Sequence, residues 1–253
     1  MLAEERYEKI LKDLSEQNLV KSSDLVKLLN VSTETIRRDL ERLEKDGLVK
    51  RVYGGAVLNN PNGLNPSFGM RNEMKNKEKD IIAHNAMKFI NEGNSIALDN
   101  GTTTLHLASL IKGNFTNLIV ITNSLLIANM LYEDPHIKVI LLGGVLDRED
   151  NSLGGSLTES NIELFHIDKA FISVSGISLN NGATDFDFNY ISIQKKLLNH
   201  SKEKFLLADS GKFNNSSLLK VCNLEYADYI ITDSNLPEST YNQFCEAGYK
   251  VIK

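Results

Sequence analysis

Apolar residues follow two different rhythms along this chain. Over the first 45 residues they recur every three or four positions, the spacing of one face of an α-helix. Tyr7, Ile10, Leu11 and Leu14 predict a first amphipathic helix. Leu25, Leu28 and Leu29 predict a second, introduced by a cap region at Ser22 and Ser23. Ile36, Leu40 and Leu43 predict a third, which leaves Arg37, Arg38, Arg42 and Lys45 on its other sides. Ser32 stands where an N-cap belongs, and Gly47, after Asp46, is a C-terminal stop. Lys50-Arg51-Val52-Tyr53-Gly54-Gly55 then reads as a short basic hairpin. Three helices and a wing fill residues 1–57, the order of parts with which a winged helix-turn-helix grips DNA.

The pattern breaks at Asn59-Asn60-Pro61-Asn62-Gly63 and Asn65-Pro66, where proline and asparagine favour extended and turning backbone. Residues 58–73 are therefore expected to be a linker and residues 74–253 a second domain. Helical periodicity resumes near Met74 through Ile81, Ile82, Ala86, Phe89 and Ile90. Beyond it, short continuous apolar runs alternate with amphipathic segments. Strands are predicted at Ser95 to Leu98, Leu118 to Thr122, Lys138 to Leu142, Ala170 to Val174, Phe205 to Ala208, Tyr229 to Thr232 and Lys250 to Ile252. Continuous apolar strands separated by helices imply an α/β domain whose mostly parallel sheet is covered on both faces. Ligands of such sheets bind beyond the carboxyl ends of the strands.

Those ends are polar. The first strand of this half runs into Asp99-Asn100-Gly101-Thr102-Thr103-Thr104 and then a helix, so backbone N–H groups, hydroxyls and the positive helix end converge where an anion would sit. The following strands end in Thr122-Asn123-Ser124, Gly143-Gly144, Ser175-Gly176 and Asp209-Ser210-Gly211-Lys212. Each loop has a plainer reading: Gly143-Gly144 as a turn, Thr102 to Thr104 as a cap, Asp99 as a loop anchor. Taken together they suit a phosphorylated small molecule.

Charge alone does not decide for DNA. The chain carries 28 Lys and Arg against 33 Asp and Glu, and residues 1–57 hold 11 of each sign. Placement matters more, because phosphate contact needs only a local stripe, which Arg37, Arg38, Lys50 and Arg51 supply. A solvated charged rim is the alternative for the same residues. With 253 residues the chain can bury a core in each of two domains. The N-terminus lacks an apolar signal core and no apolar run approaches the roughly 20 residues that cross a bilayer, so a cytoplasmic protein is expected. Cys222 and Cys245 lack a C-x-x-C arrangement and read as buried free thiols; the five histidines are scattered, so no metal and no cofactor is expected.

Arg6, Ile10, Leu14, Ser32, Thr35, Ile36, Arg37, Arg38, Asp39 and Leu40 fall in register with the motif of the DeoR-type bacterial transcriptional repressors, and Arg51, Gly54, Gly55 and Ala56 match its wing. The resemblance implies that the third helix enters the major groove of double-stranded operator DNA. Thr33, Thr35, Arg37 and Arg38 are then the candidates for base edges or nearby phosphates, with Lys50, Arg51 and Tyr53 on the backbone. Arg6 and Asp39 read as a structural ion pair and stay outside that set. The resemblance continues through Asp99 to Thr104, Thr122 to Ser124, Gly143-Gly144, Asp168 to Gly176 and Asp209 to Phe213. It implies an effector domain like ribose-5-phosphate isomerase that senses a sugar phosphate. Gly101 to Thr104 would hold the phosphate, Lys212 would add a cation, and Asn123 with Asp185 would meet sugar hydroxyls. It also implies a homodimer or homotetramer, released from DNA by its effector. Asp99, Ser124, Gly143 and Gly144 complete the candidate effector set.

The chain departs from that family at three points. A glutamate and then a lysine in the helix after the Gly182 loop are replaced by Tyr190 and Gln194, and a Ser-Lys pair is Gly211-Lys212 here. The run Asp185-Phe186-Asp187-Phe188 resembles the glycerol-phosphate branch, a likeness of four residues that assigns no ligand. A rival reading is a sugar-phosphate isomerase with a fused N-terminal module, for which Asp185, Asp187 and Lys212 would be the cast. By the same resemblance the isomerase base is a glutamate in the helix that carries Tyr190 and Gln194, so that base is missing. A protein-interaction adaptor, with an inert wing, is the third reading.

Overall fold

The computed structural model describes residues 2–17, 19–46, 48–58 and 68–253. It divides into two units, Met1–Met74 and Lys75–Lys253.

In the first unit, α1 (Ala3–Gln17), β1 (Leu19–Lys21), α2 (Ser22–Leu29), α3 (Thr33–Lys45), β2 (Val49–Val52) and β3 (Gly55–Leu58) follow in order, with a further helix α4 (Phe68–Glu73). The three helices and the hairpin are those expected from the apolar spacing. Ile10, Leu14, Leu25, Ile36, Leu40 and Leu43 form one buried core. Ser32 caps α3, its hydroxyl oxygen accepting from the Thr35 amide at 3.1 Å. Arg6 and Asp39 make the expected bidentate pair, Nε to Oδ2 at 2.7 Å and Nη2 to Oδ1 at 2.9 Å, tying α1 to α3. The wing strands pair antiparallel, and β1 adds to the outer side of β3. That third strand was not legible, being only three residues long.

Three expectations change. Leu28 is exposed, because the buried arc of α2 runs through Leu25 and Leu29 with Val26 at its margin, and Leu28 falls outside it. Ser22 and Ser23 are the first residues of α2 rather than its cap; Lys21 holds that position with no side-chain bond. The expected linker 58–73 contributes Leu58 to β3 and Phe68–Glu73 to α4, while Gly47 and residues 59–67 lie outside the described residues.

The second unit contains α5 (Asn76–Met87), β4 (Ser95–Leu98), α6 (Thr102–Ile111), β5 (Leu118–Thr122), α7 (Leu125–Leu131), β6 (Ile137–Leu141), β7 (Val145–Asp147), β8 (Ser152–Gly154), α8 (Ser156–Ile162) and β9 (Ile167–Ser173). It continues through β10 (Gly176–Ser178), β11 (Gly182–Asp185), α9 (Phe188–Asn199), β12 (Ser201–Leu207), β13 (Leu219–Cys222), β14 (Tyr229–Ile231), α10 (Glu238–Glu246) and β15 (Val251–Ile252). Seven strands form one sheet in the order β15-β14-β12-β9-β4-β5-β6, and every pairing in it is parallel. Alternate residues serve two cores: Ala170, Ile172 and Leu206 face one way. Phe171 and Phe205 face the other and stack at 4.6 Å between centroids, with Phe89 and Tyr229 beside them.

The order of strands fixes the site. From β4 the chain winds outward through β5 to β6, then returns to lay β9 on the opposite side of β4. The winding direction reverses between β4 and β9, and the crevice beyond their carboxyl ends is where such sheets bind ligands. Two small antiparallel groups, β7 with β8 and β10-β11-β13, are built from the segments after β6, β9 and β12.

Candidate functional site

On the first unit, the candidate DNA residues lie on the start of α3 and on the wing. Thr33 is exposed and Thr35 half-buried, its hydroxyl 2.8 Å from that of Ser32. Arg37 donates to both carboxylate oxygens of Glu34 at 2.8 Å and also reaches Glu41; Arg38 Nε donates to Glu34 at 3.0 Å. Arg51 meets Glu44 at 2.7 Å and Glu41 at 3.0 Å. The arginines of the stripe thus share three exposed carboxylates. Hydrogen bonds from Arg37 and then Arg38 hold the Glu34 carboxyl down at about 2, and the same bond pushes the Arg37 guanidinium further up. Lys50 is exposed, and Tyr53 stands fully exposed at the tip of the wing before Gly54, whose φ of 80° suits glycine.

On the second unit, the carboxyl end of β4 leads into Asp99 and Asn100, and Gly101 is the N-cap of α6. Gly101 has no side chain with which to cap the first-turn amides, which have no intrahelical acceptor. Thr104 instead bonds back, its Oγ1 accepting from the Gly101 amide at 3.0 Å and donating toward Asp99. Any side chain at Gly101 would overlap Ser173 at the end of β9. The loop thus runs from β4 directly into the first turn of α6, where the sequence placed its candidate anion site.

Asp99 is buried at the switch point. Its carboxylate accepts from the Ser173 amide at 3.2 Å, Thr104 Oγ1 at 3.0 Å and Gln194 Nε2 at 3.2 Å. Burial pushes the carboxyl up to about 7, the three hydrogen bonds oppose the rise, and neighbouring Asp185 adds to it. Asp185 ends β11 and accepts from Ser175 Oγ at 3.0 Å, the Phe186 amide at 2.7 Å and the same Gln194 Nε2 at 3.2 Å. Gln194, on α9, thereby bridges the two carboxylates. Tyr190, one turn earlier, accepts from Asn100 Nδ2 at 2.8 Å and is hydrogen-bonded to Ser152 Oγ of β8. Burial raises the Tyr190 hydroxyl, which stays protonated.

Asn123 is fully buried between β5 and α7, its Nδ2 donating to Leu153 O at 3.0 Å; Ser124 caps α7. Gly143 and Gly144 are exposed. Gly144 lies where any Cβ would overlap Thr158 Oγ1, and Thr158 donates to Gly143 O at 2.7 Å, so packing against α8 alone requires glycine there. Asp209 follows β12 and accepts from Lys75 Nζ at 2.5 Å and the Gly211 amide at 3.0 Å. Burial would raise its carboxyl, but Lys212 and Lys75 hold it below the ordinary value. Lys212 is half-buried beside it.

Asn100 Oδ1, Asn123 Oδ1 and Gln194 Oε1 are buried and have no hydrogen-bond partner among the described residues. The structure thus forms two adjoining hydrogen-bonded sets, Asp99 with Gln194 and Asp185, and Asn100 with Tyr190 and Ser152. The sequence had marked Tyr190 and Gln194 only as departures, and Asn100 and Ser152 not as site residues. Asn100 stood in a loop already singled out, whereas Ser152 is brought in by a hairpin that leaves no apolar period. Cys222 and Cys245 are free as expected but half-buried rather than buried, and among the described residues no group of histidine, cysteine and carboxylates could hold a metal. Among the described residues no helix is long and apolar enough to cross a membrane.

A helix-turn-helix with a basic wing, in one chain with an α/β unit whose strand ends form a buried polar rim, defines a DNA-binding transcriptional regulator with a sensor domain. Residues 6–62 match the DeoR-like helix-turn-helix domain and residues 74–234 the DeoR C terminal sensor domain. The HTH-type transcriptional regulator GolR of Listeria innocua is 34% identical over 98% of this chain and 97% of its own. The L-fucose operon activator of Haemophilus influenzae is 32% identical over 95% and 96%, and the glycerol-3-phosphate regulon repressor of Escherichia coli 29% over 93% and 92%. Among solved structures, a D-ribose-5-phosphate isomerase in complex with phospho-erythronic acid is 18% identical over 53% of this chain and 52% of its own, with a TM-score of 0.41. The chain belongs to the DeoR family; it is a transcriptional regulator and not an enzyme.

Proposed function

We propose that this regulator represses a sugar- or polyol-metabolism operon, acting in the cytoplasm as a homodimer or homotetramer, and that a phosphorylated sugar or polyol bound in the second unit releases it from its operator. Two relatives are named for sugar or polyol-phosphate systems, one as an activator and one as a repressor. The observation that carries the ligand class is the set of buried unpartnered oxygens on Asn100, Asn123 and Gln194, gathered at the strand ends around the uncapped N-terminus of α6. A buried acceptor without a partner costs about 1–3 kcal/mol, which ligand hydroxyls would recover. A phosphate suits the first turn of α6, where Thr102 to Thr104 present amides and the helix dipole is positive. Lys212, held beside Asp209, supplies the nearby cation, with Ser124, Gly143 and Gly144 on the same rim.

On DNA, α3 would enter the major groove with Thr33, Thr35, Arg37 and Arg38, and Lys50, Arg51 and Tyr53 would follow the backbone. The ligand acts only through unequal affinity for the DNA-competent and DNA-incompetent arrangements. A gel shift on the protein's own upstream region at stated salt tests both halves. Binding is expected to be lost in Arg37→Ala with Arg38→Ala, and to fall when a sugar phosphate is added. A Lys212→Ala protein that responds to the effector as the parent does would refute the phosphate placement.

A further inference from the structure

The rim has more acceptors than donors. Gln194 Nε2 has two hydrogens. Three oxygens compete for them: Asp99 Oδ2 at 3.2 Å, Asp185 Oδ2 at 3.2 Å and Ser173 O at 2.9 Å. Thr104 Oγ1 has one hydrogen and lies within reach of Asp99 O, Asp99 Oδ1 and Gly101 O. The remaining donors to the two carboxylates are the Ser173 and Phe186 amides and the Ser175 hydroxyl, all neutral. Both aspartates are more than nine-tenths buried, and among the described residues no lysine, arginine or histidine pairs with either. The orientation of Gln194 is set by these neighbours, because turning its amide over would place Oε1 against two carboxylates. In the orientation that results, Oε1 is a further buried acceptor without a partner, as are Asn100 Oδ1 and Asn123 Oδ1.

A neutral hydroxyl brings one hydrogen to such a site and no charge. An ammonium group brings three hydrogens and a positive charge, which would let Asp99, whose carboxyl is pushed up to about 7 by burial and by neighbouring Asp185, give up its proton and stand as a second carboxylate. We propose that the effector is an amino-sugar phosphate, its phosphate at the N-terminus of α6 and its ammonium held by Asp99 and Asp185 with Gln194 Oε1. This rests on the sugar-phosphate reading above and narrows it to one substituent. The acceptor surplus also sets the discrimination: replacing the ammonium by a hydroxyl leaves Asp99 and Asp185 to share a proton with no counter-charge beside them.

The test is titration calorimetry of the full chain at pH 7 with glucosamine 6-phosphate and galactosamine 6-phosphate, each against its matched hexose 6-phosphate and against inorganic phosphate. The better amino compound is expected to bind at least tenfold tighter than its hydroxyl counterpart. Asp185→Asn should remove that advantage, and Gln194→Lys, which tethers an ammonium to the chain, should reverse it in favour of the neutral hexose phosphate. Retained operator binding by each variant shows that it is folded. Equal or tighter binding of the neutral compounds by the parent protein would overturn the proposal and leave the sugar-phosphate reading standing. Failure of every sugar phosphate to bind more tightly than inorganic phosphate would overturn both.

Discussion

Single side chains here are held in competition. Arg37 and Arg38 share Glu34, so in the proposed complex operator phosphates would have to displace a carboxylate before contacting them. Solvent screens exposed pairs of this kind and leaves them weak, so Glu34→Gln is expected to tighten operator binding roughly two- to fivefold in a gel shift. Weaker binding would show that Glu34 orients the arginines rather than occupying them. Asp99 sets a pH dependence. Its carboxyl titrates at about 7 in the fold against 3.8 in the open chain, so between those values the folded protein holds a proton that the unfolded chain has released. Stability without ligand is fully present below about pH 4, falls as pH rises through this window and levels off above it. Unfolding by urea at a series of pH values should show that fall, and Asp99→Asn should flatten it; an unchanged slope in the variant would assign it to other groups.

At the scale of elements, the join between β4, α6 and β9 is a close constraint on the sensor unit. A Gly101→Ala side chain would overlap Ser173, so the start of α6 must shift. The expected result is loss of effector binding in calorimetry with operator binding retained; normal effector binding would mean that the loop yields freely. Much of this architecture was legible. Ser95–Leu98 and Leu118–Thr122 are strands at the positions the apolar runs gave, since a strand buried on both faces writes its limits in composition. β9 and β12 start at Ile167 and Ser201, three and four residues before their apolar runs, because Asp168, Lys169 and Lys202 to Lys204 are polar residues near the amino edge of the sheet. The hairpin β7–β8 and the strands β10, β11 and β13 left no signal: three or four residues long and partly polar, they are fixed by contacts between distant segments. For the same reason the sequence singled out Asp99, Asn123 and Asp185 as candidates but gave neither the bridge from Gln194 nor the Tyr190–Ser152 contact, which exist only once α9 packs over the strand ends.

For the molecule as a whole, the proposed function lies in coupling two units of one chain. Whatever factor the effector takes from operator affinity, operator DNA must take from effector affinity, because linkage is reciprocal. Calorimetric titration of effector with and without operator should return the same factor as operator titration with and without effector; unequal factors would exclude a simple two-arrangement mechanism. Hydrogen exchange should slow at 99–104 with effector alone and at 32–45 with operator alone, and protection confined to one region under both ligands would contradict the assignment of the two sites. The glutamates lining α3 have one last consequence, for ionic strength. If the arginines pass to the operator as proposed, Glu34, Glu41 and Glu44 become free anions that gather sodium ions, offsetting part of the cation discharge from the duplex. This regulator should therefore tolerate changes in cellular osmolarity better than its number of phosphate contacts alone would suggest.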